Sequence, residues 1–413
     1  MNYKHEIKDT FWLMLMQGLT YVVPLFVWPY LMSVLGAAKF GYIGFGLAVN
    51  QYLMILVDFG FNLSATKRIA LAQGNQAEIN RVFSQTLMAK LLLLCISALV
   101  LLGVACVPQY AVYRSTLFLL FSMVVGQVFT FVWLFQGLGK IRVVTIVNSL
   151  TKLAILPLTF WLVKSQEHYL RAAILQAVVY VVAALLSDVM MWKMGLARLV
   201  RVKWDGVKGS LKDSFPLFLS QAASSVYAML FVVILGYVAL PDEVGRYAAS
   251  EKLMRISCVL VFTPLVQAFF PRITRVAQTQ KTEAYRPIER LMMVGGSVMF
   301  LVFIVLFWGS ETIVTLLGKD YAGMGNLSKI MAIVPLFVTL GGIVGQMGLL
   351  ACGEDVDKRV YRNIYLLAAV CSLILVSVFV PKWHAEGAAW ALLLTEGGVC
   401  GAMLLAYKRM KKR

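Results

Sequence analysis

Acidic residues are scarce in this chain. Only 20 Asp and Glu stand against 38 Lys and Arg in 413 residues, and charged residues of both signs make up 14%. A soluble protein of this length must cover two or three domains with polar surface, and so few charges cannot supply it. Disorder is excluded by the converse feature, a hydrophobic fraction of 60% with a mean hydropathy of +0.80. Histidine is nearly absent: His5, His168 and His384 lie in a terminus or short loops, too far apart for a metal site. No GxxxxGK[ST] occurs, because Gly139-Lys140 lacks the earlier glycine, so the chain has no P-loop ATPase of its own. Nothing in the sequence calls for a cofactor. Six cysteines (Cys95, Cys106, Cys258, Cys352, Cys371, Cys400) form no CxxC and sit in apolar stretches, where they read as small core residues.

What the chain does have is long apolar runs. If 60% of the residues lie in hydrocarbon, spans of about 20 residues each number twelve. Polar punctuation places them at 11–35, 41–63, 85–107, 115–136, 143–163, 172–192, 215–237, 247–270, 291–308, 327–352, 363–380 and 387–407. The first is followed by Gly36-Ala37-Ala38, as a cleaved leader would be. At about 25 residues, with Pro24 and Pro29 inside, it is too long for a leader's apolar region and reads as a helix.

Sorting the bases against these spans explains most of the +18 net charge. With the N-terminus inside, the cytoplasmic segments hold 26 Lys and Arg, the opposite segments 8, and the spans 4. By the positive-inside rule this places both termini in the cytoplasm. The charge is therefore an orientation signal, and nucleic acid is not an expected partner. No segment on the opposite side exceeds about 18 residues, which leaves little room for an external catalytic domain.

An internal repeat runs through the chain. At an offset of 204, residues 8–17 (KDTFWLMLMQ) match 212–221 (KDSFPLFLSQ) at six of ten positions. The same offset pairs Gly41 with Gly245, Leu56-Val57 with Leu260-Val261, and Arg68-Ile69 with Arg272-Ile273. Six spans per unit is an even number, so both units enter the membrane in the same direction. This is the parallel-repeat plan of transporters, with a site between the halves. The expected architecture is an all-α integral membrane protein of twelve transmembrane helices in two six-helix lobes, residues 1–192 and 214–413, joined by a basic cytoplasmic linker at 193–213.

Polar residues inside spans are costly and face partners or water. Gln17, Tyr21, Pro24 and Trp28 share one face of span one, and Ser220, Ser224, Tyr227 and Phe231 follow the same steps in span seven. Two matching polar-aromatic stripes suit a shared cavity wall, although any single serine suits helix packing better. Asn50, Gln51, Met54 and Asp58 make a second candidate wall on span two. The intramembrane bases are Lys90, Lys152, Lys252 and Arg255, and the acids Asp58, Asp188, Glu251 and Glu396. Glu251 and Arg255 stand at i and i+4, the spacing of a structural ion pair. Lys152 and Lys252 have no acid at helical spacing in the sequence, and Lys152 sits near mid-membrane. Gly341, Gly345 and Gly348, with Gly397 and Gly401, read as close-packing faces.

These residues also carry a family resemblance. Gln17-Gly18, Pro24-Leu25, Pro29-Tyr30-Leu31, Val34-Leu35-Gly36 and Phe40-Gly41, followed by Asp58-Phe59-Gly60-Phe61-Asn62, resemble the opening of the O-antigen flippases. These form part of the polysaccharide transporter branch of the multidrug/oligosaccharidyl-lipid/polysaccharide exporter superfamily. The likeness continues through Trp133-Leu134-Phe135-Gln136-Gly137, Val244-Gly245-Arg246-Tyr247, Ala248-Ala249-Ser250-Glu251-Lys252, Phe270-Pro271-Arg272-Ile273, Gly387-Ala388-Ala389 and Thr395-Glu396. Ser250, where many members carry alanine, departs from the pattern, and so does Gly137-Leu138-Gly139-Lys140, which lacks an acid before the base.

The resemblance implies a transporter, not an enzyme, in a bacterial inner membrane. It would carry an undecaprenyl-pyrophosphate-linked oligosaccharide from the cytoplasmic to the periplasmic leaflet by alternating access, alongside a polysaccharide polymerase and a chain-length regulator. A pyrophosphate cannot cross hydrocarbon unaided, since isolated charge there costs tens of kcal/mol by Born estimates. Lys152, Lys252 and Arg255 are the expected phosphate ligands, with Lys90 on a cytoplasmic entry route. Gln17, Tyr21, Gln221, Tyr227 and Trp133 are the expected sugar contacts, and Glu251, Asp58 and Glu396 the candidates for coupling to H⁺ or Na⁺. Two rivals differ by composition. A multidrug or cation antiporter of the same superfamily calls for an acid-dominated cavity, and a membrane polymerase or glycosyltransferase for a sizeable external loop rich in acids or arginines.

Overall fold

The computed structural model describes residues 3–412, without the side chains of 3–22 and of a few later positions, chiefly around 220–229 and 268–281. It is helical throughout, with no strand among the described residues. Eight helical segments are long and apolar enough to cross a bilayer, the hallmark of a multi-pass membrane protein: Val23–Leu71, Gln76–Cys106, Pro108–Gly137, Val144–Leu162, Gln166–Lys193, Thr282–Trp308, Met324–Leu350 and Asp355–Lys412. The last is 58 residues long, which at 1.5 Å per residue is about 87 Å, far beyond a hydrocarbon core of about 30 Å. It is not one rod, because His384 leaves helical geometry (φ 45°, ψ −122°). The first helix, α1 (Tyr3–Asp58), is likewise interrupted at Gly36 (φ 70°, ψ 168°).

Contacts divide the chain into two compact units, residues 1–35 with 45–222, and 36–44 with 223–413.

In the first unit, α1 ends at Asp58 because Phe59 and Gly60 are left-handed (φ 46° and 78°), and α2 (Phe61–Leu71) restarts behind them. A side chain at Gly60 would also strike the Leu217 Cβ at 2.8 Å. Helix α3 (Gln76–Cys106) opens on an Asn75 cap, whose side chain accepts from the Glu78 amide, with Glu78 favourably placed at the helix's positive end. Helix α4 (Arg114–Phe129) stops at Thr130, and the short α5 (Val132–Gly137) follows. The span expected at 115–136 is therefore two helices. Gly126 lets α4 approach α7 (Tyr169–Lys193): a Cβ there would sit 2.7 Å from the Tyr180 backbone. Between them in sequence lies α6 (Ile141–Leu162). The segment after α7 is docked on α3, where Gln76 donates to Leu196 O (3.0 Å), and Asn80 and Ser84 accept from the amides of Arg198 (2.8 Å) and Val200 (2.9 Å). Helix α8 (Trp204–Val238) begins inside the 193–213 segment, where Arg68 of α2 donates to both Ser210 and Gln85.

In the second unit, α9 (Pro241–Thr279) starts with Pro241, Asp242 and Glu243 in its first turn, and folds at Gln280 into α10 (Lys281–Trp308). After α11 (Ser310–Leu317) come α12 (Met324–Met331), α13 (Val334–Gly342) and a π-helical stretch, Ile343–Leu350. They pack on the second arm of α14 (Asp355–Lys412). Gly341, Gly345 and Gly348 meet Cys400, Met403 and Tyr407, so close packing holds for these three. It does not hold for Gly401, whose added Cβ would meet nothing within 4 Å.

Three of the six cysteines also depart from the core reading: Cys95, Cys106 and Cys371 are exposed, whereas Cys352 and Cys400 are buried. Apolar sequence surroundings cannot separate a lipid-facing position from an interior one, because both are equally hydrophobic.

Candidate functional site

The second unit holds a charged cavity built mainly on one face of α9. Tyr247, Glu251 and Arg255 follow at four-residue steps, so their side chains stack along the helix. Arg255 donates from Nε (2.8 Å) and from Nη2 (2.6 Å) to Glu251 Oε1. The carboxylate side chain is only 10% exposed and the arginine 37%. The ion pair expected from the i, i+4 spacing is therefore present.

Across from it, the second arm of α14 contributes Glu396 and Val399, its first arm Tyr365, and α13 contributes Phe337, Gly341 and Gly342. Together with Arg255 and Cys258 they enclose about 270 Å³. The space depends on glycine, since a Cβ at Gly342 would lie 2.4 Å from the Phe262 ring and one at Gly341 3.1 Å from the Cys400 Cα. Glu396 and Arg255 interact electrostatically, and Lys252 feels both Glu251 and Arg255. Two acids and two bases thus share one locus, formally balanced. Of the residues singled out in the sequence, the structure brings Glu251, Lys252, Arg255 and Glu396 together. The grouping of Glu396 with the other three, 141 residues away from Arg255 in sequence, had no signal in the spacing.

In the first unit, Lys90 and Asp58 form a separate locus. Both are buried, at 1% and 3% exposure, and each lies in the other's electrostatic field. Lys90 Nζ also points to Gln127 O at 3.5 Å. An entry-route lysine would stand open to water, and Lys90 does not. Lys152 contrasts with it: midway along α6, it is exposed and forms no ion pair among the described residues.

Trp133, expected to meet sugar, is a core residue with no exposed surface. Its ring lies against Phe83 (centroids 5.9 Å, stacked) and edge-on to Phe131 (6.3 Å). The wall expected from Asn50, Gln51, Met54 and Asp58 also comes apart. Asn50 is fully buried and donates to Gly46 O (2.9 Å) and Leu117 O (3.2 Å), tying α1 to α4, while Gln51 is exposed. Gln17, Tyr21, Gln221 and Tyr227 lie outside the residues whose side chains are described.

Comparison with known proteins gives a consistent picture. In fold, the chain resembles an inward-facing multidrug resistance MATE family transporter of the MOP superfamily, with a TM-score of 0.74 at 12% identity over 96% of this chain and 95% of that one. It also resembles the lipid II flippase MurJ in an inward closed conformation, with a TM-score of 0.71 at 10% identity over 96% and 87%. In sequence it is 30% identical to a Shigella dysenteriae protein over 97% of this chain and all of that one, and 28% identical to an Escherichia coli K12 protein over 98% and 97%; both carry the name "Putative O-antigen transporter". The pattern of the family described as "Polysaccharide biosynthesis protein" matches residues 7–278. With that match and full-length relatives at this identity, the chain belongs to the polysaccharide biosynthesis protein family.

Proposed function

We propose that this protein is a flippase that moves a lipid-linked oligosaccharide, the precursor of O-antigen or a related polysaccharide, from the cytoplasmic to the periplasmic leaflet of the bacterial inner membrane. The observation that carries the reading is the cavity lined by Arg255 and Glu396, with Glu251 ion-paired to that arginine, in a chain whose full-length relatives bear an O-antigen transporter's name. The polytopic helical fold shared with MATE and MurJ transporters is consistent with it. Twelve crossings in two six-helix lobes are part of the proposal. They are supported by the breaks at Gly36 and His384, which divide two of the longest helices, and by α8 and α9, each of 35 residues or more. The cytoplasmic placement of the termini rests on the 26-to-8 distribution of bases.

In this reading Arg255, with Lys252 and the exposed Lys152, attracts the pyrophosphate. Guanidinium suits phosphate because it offers paired donors in a plane. In the absence of substrate, Glu251 occupies that fork, so an arriving phosphate must displace it. That exchange is the proposed link between substrate and the acids Glu251 and Glu396, which would carry the coupling ion. The sugars would be met by Gln17, Tyr21, Gln221 and Tyr227. Trp133 supports the wall of its lobe and Lys90 with Asp58 anchors it, rather than touching substrate or ion. Rocking of the lobes would open the site to each side in turn.

The reading is tested with inner-membrane vesicles of a strain lacking the protein, loaded with its lipid-linked oligosaccharide. Wild-type protein restores translocation, and Lys152→Ala and Arg255→Ala do not. Unchanged transport in both variants would remove the cationic-site assignment. Dye sensitivity of the deletion strain with no build-up of lipid-linked oligosaccharide would favour a multidrug antiporter instead.

A further inference from the structure

A second cavity, of about 680 Å³, lies between α9 and α10. Its size falls within the usual range for small-molecule sites of about 300–1,000 Å³. The lining follows one rule on both helices. Leu265, Phe269, Arg272, Ile273 and Val276 of α9, and Glu283, Pro287, Arg290, Leu291 and Val294 of α10, advance by the same steps of four, three, one and three residues. Each helix thus turns one continuous face to the groove, with a single arginine at the third position of each.

The arginines are level with one another. The chain reverses at Gln280, from which Arg272 is 8 residues away and Arg290 is 10, or about 12 and 15 Å along their helices. The polar residues therefore cluster near the turn, and the groove becomes wholly apolar beyond the arginines, along Leu265, Phe269, Leu291 and Val294. Glu283, the acid of the lining, sits nearest the turn, beside the Gln280 amide. Neither Arg272 nor Arg290 forms an ion pair among the described residues, and both are exposed.

We infer that this groove is a second lipid site, which holds a long-chain polyisoprenyl phosphate or diphosphate with its phosphate between Arg272 and Arg290 and its chain along the apolar end. The inference rests on the flippase reading for its orientation, since the positive-inside rule places this turn at the cytoplasmic surface. Charge complementarity selects the occupant. With Glu283 the lining carries one net positive charge, but Glu283 lies seven residues from Arg290, about 10 Å along α10. The two guanidinium groups on opposite walls therefore locally match a terminal phosphate or diphosphate, which carries about two negative charges, better than the single charge of a phospholipid diester. Such a site would capture the substrate's lipid before its headgroup reaches Arg255, and would hold the tail while the headgroup crosses.

The test uses the purified full-length chain and native mass spectrometry, with undecaprenyl phosphate, phosphatidylglycerol and inorganic pyrophosphate as separate probes. Wild-type protein is expected to retain undecaprenyl phosphate. Arg272→Ala/Arg290→Ala weakens that binding at least about tenfold, the scale of a lost charge-assisted contact, whereas Arg272→Lys/Arg290→Lys keeps most of it. Val294→Trp, which fills the apolar end from an exposed position, weakens it comparably without altering the arginines. Phosphatidylglycerol and pyrophosphate at equal concentration do not displace the bound lipid. Unchanged affinity in Arg272→Ala/Arg290→Ala and in Val294→Trp overturns the inference, and so does one-for-one displacement by phosphatidylglycerol, the behaviour of a general annular lipid. The two readings fail separately: wild-type vesicles that translocate nothing remove the flippase, and a transporting wild type whose groove variants bind lipid normally removes the groove.

Discussion

Gly41 and Gly245 stand 204 residues apart in sequence and touch. A Cβ on Gly41 would lie 2.1 Å from Pro241 O and 2.8 Å from the Gly245 nitrogen, and a Cβ on Gly245 would lie 1.8 Å from Ala37 O and 3.0 Å from the Gly41 nitrogen. The contact is reciprocal at the repeat offset: Ala37 corresponds to Pro241, and Gly44, whose Cβ would meet Ala248 at 2.9 Å, corresponds to Ala248 itself. Reciprocal contacts between equivalent residues are the signature of a twofold relation. They support the proposed duplication.

This crossing has no room for a methyl group. Gly41→Ala or Gly245→Ala is expected to destabilise the protein by about 1–3 kcal/mol, the usual cost of overpacking. Gly401→Ala, with nothing within 4 Å, is expected to be neutral or to stabilise by up to about 1 kcal/mol through helix propensity. Thermal unfolding in detergent compares the three.

Glu251 and Arg255 form a pair in which removing one partner costs the other its hydrogen-bonded counter-charge. Arg255→Ala is expected to lower both melting temperature and transport. Glu251→Gln is expected to strengthen retention of inorganic pyrophosphate by freeing the guanidinium, while loosening any dependence of transport on the ion gradient. Recovery of melting temperature without recovery of transport in Glu251→Gln/Arg255→Ala would separate the structural role from the functional one.

Lys90 and Asp58 are buried more deeply and lie in each other's field, and neither Asp58 oxygen has a side-chain hydrogen-bond partner among the described residues. Lys90→Met or Asp58→Asn alone is expected to lower stability, because each takes from a buried group the opposite charge in whose field it lies. The double variant should recover much of that loss. A double-mutant cycle on unfolding free energy reads it directly, and additive losses would contradict the pairing.

Trp133→Phe keeps an aromatic ring in the Phe83–Phe131 cluster and is expected to leave transport at the wild-type level. Trp133→Ala is expected to cost about 3–5 kcal/mol, as large aromatic deletions in cores do, and to lower the amount of folded protein in the membrane. A transport loss in Trp133→Phe at normal abundance would return this residue to the substrate path.

Much of the fold was legible because a bilayer allows few solutions. Apolar runs must be helices, and the ion pair at Glu251 and Arg255 follows from helical spacing alone. What the periodicity could not show was depth. Trp133, which the resemblance makes a sugar contact, fills a core, and Cys95, equally apolar in context, faces outward. Breaks within runs were hidden as well, since Phe59 and His384 carry ordinary side chains but adopt positive φ. The meeting of Glu396 with Arg255, and of Asp58 with Lys90, is set by tertiary packing between distant helices, on which local sequence is silent.

The most direct measurement of the central claim is translocation in proteoliposomes holding only this protein and its lipid-linked oligosaccharide, scored by access of the sugar to an external glycan-modifying enzyme. The account predicts that wild-type protein exposes the sugar and that Arg255→Ala, folded and inserted to the same extent, slows exposure at least about tenfold, equivalent to about 1.4 kcal/mol. Equal rates for wild type, Arg255→Ala and protein-free vesicles would contradict it.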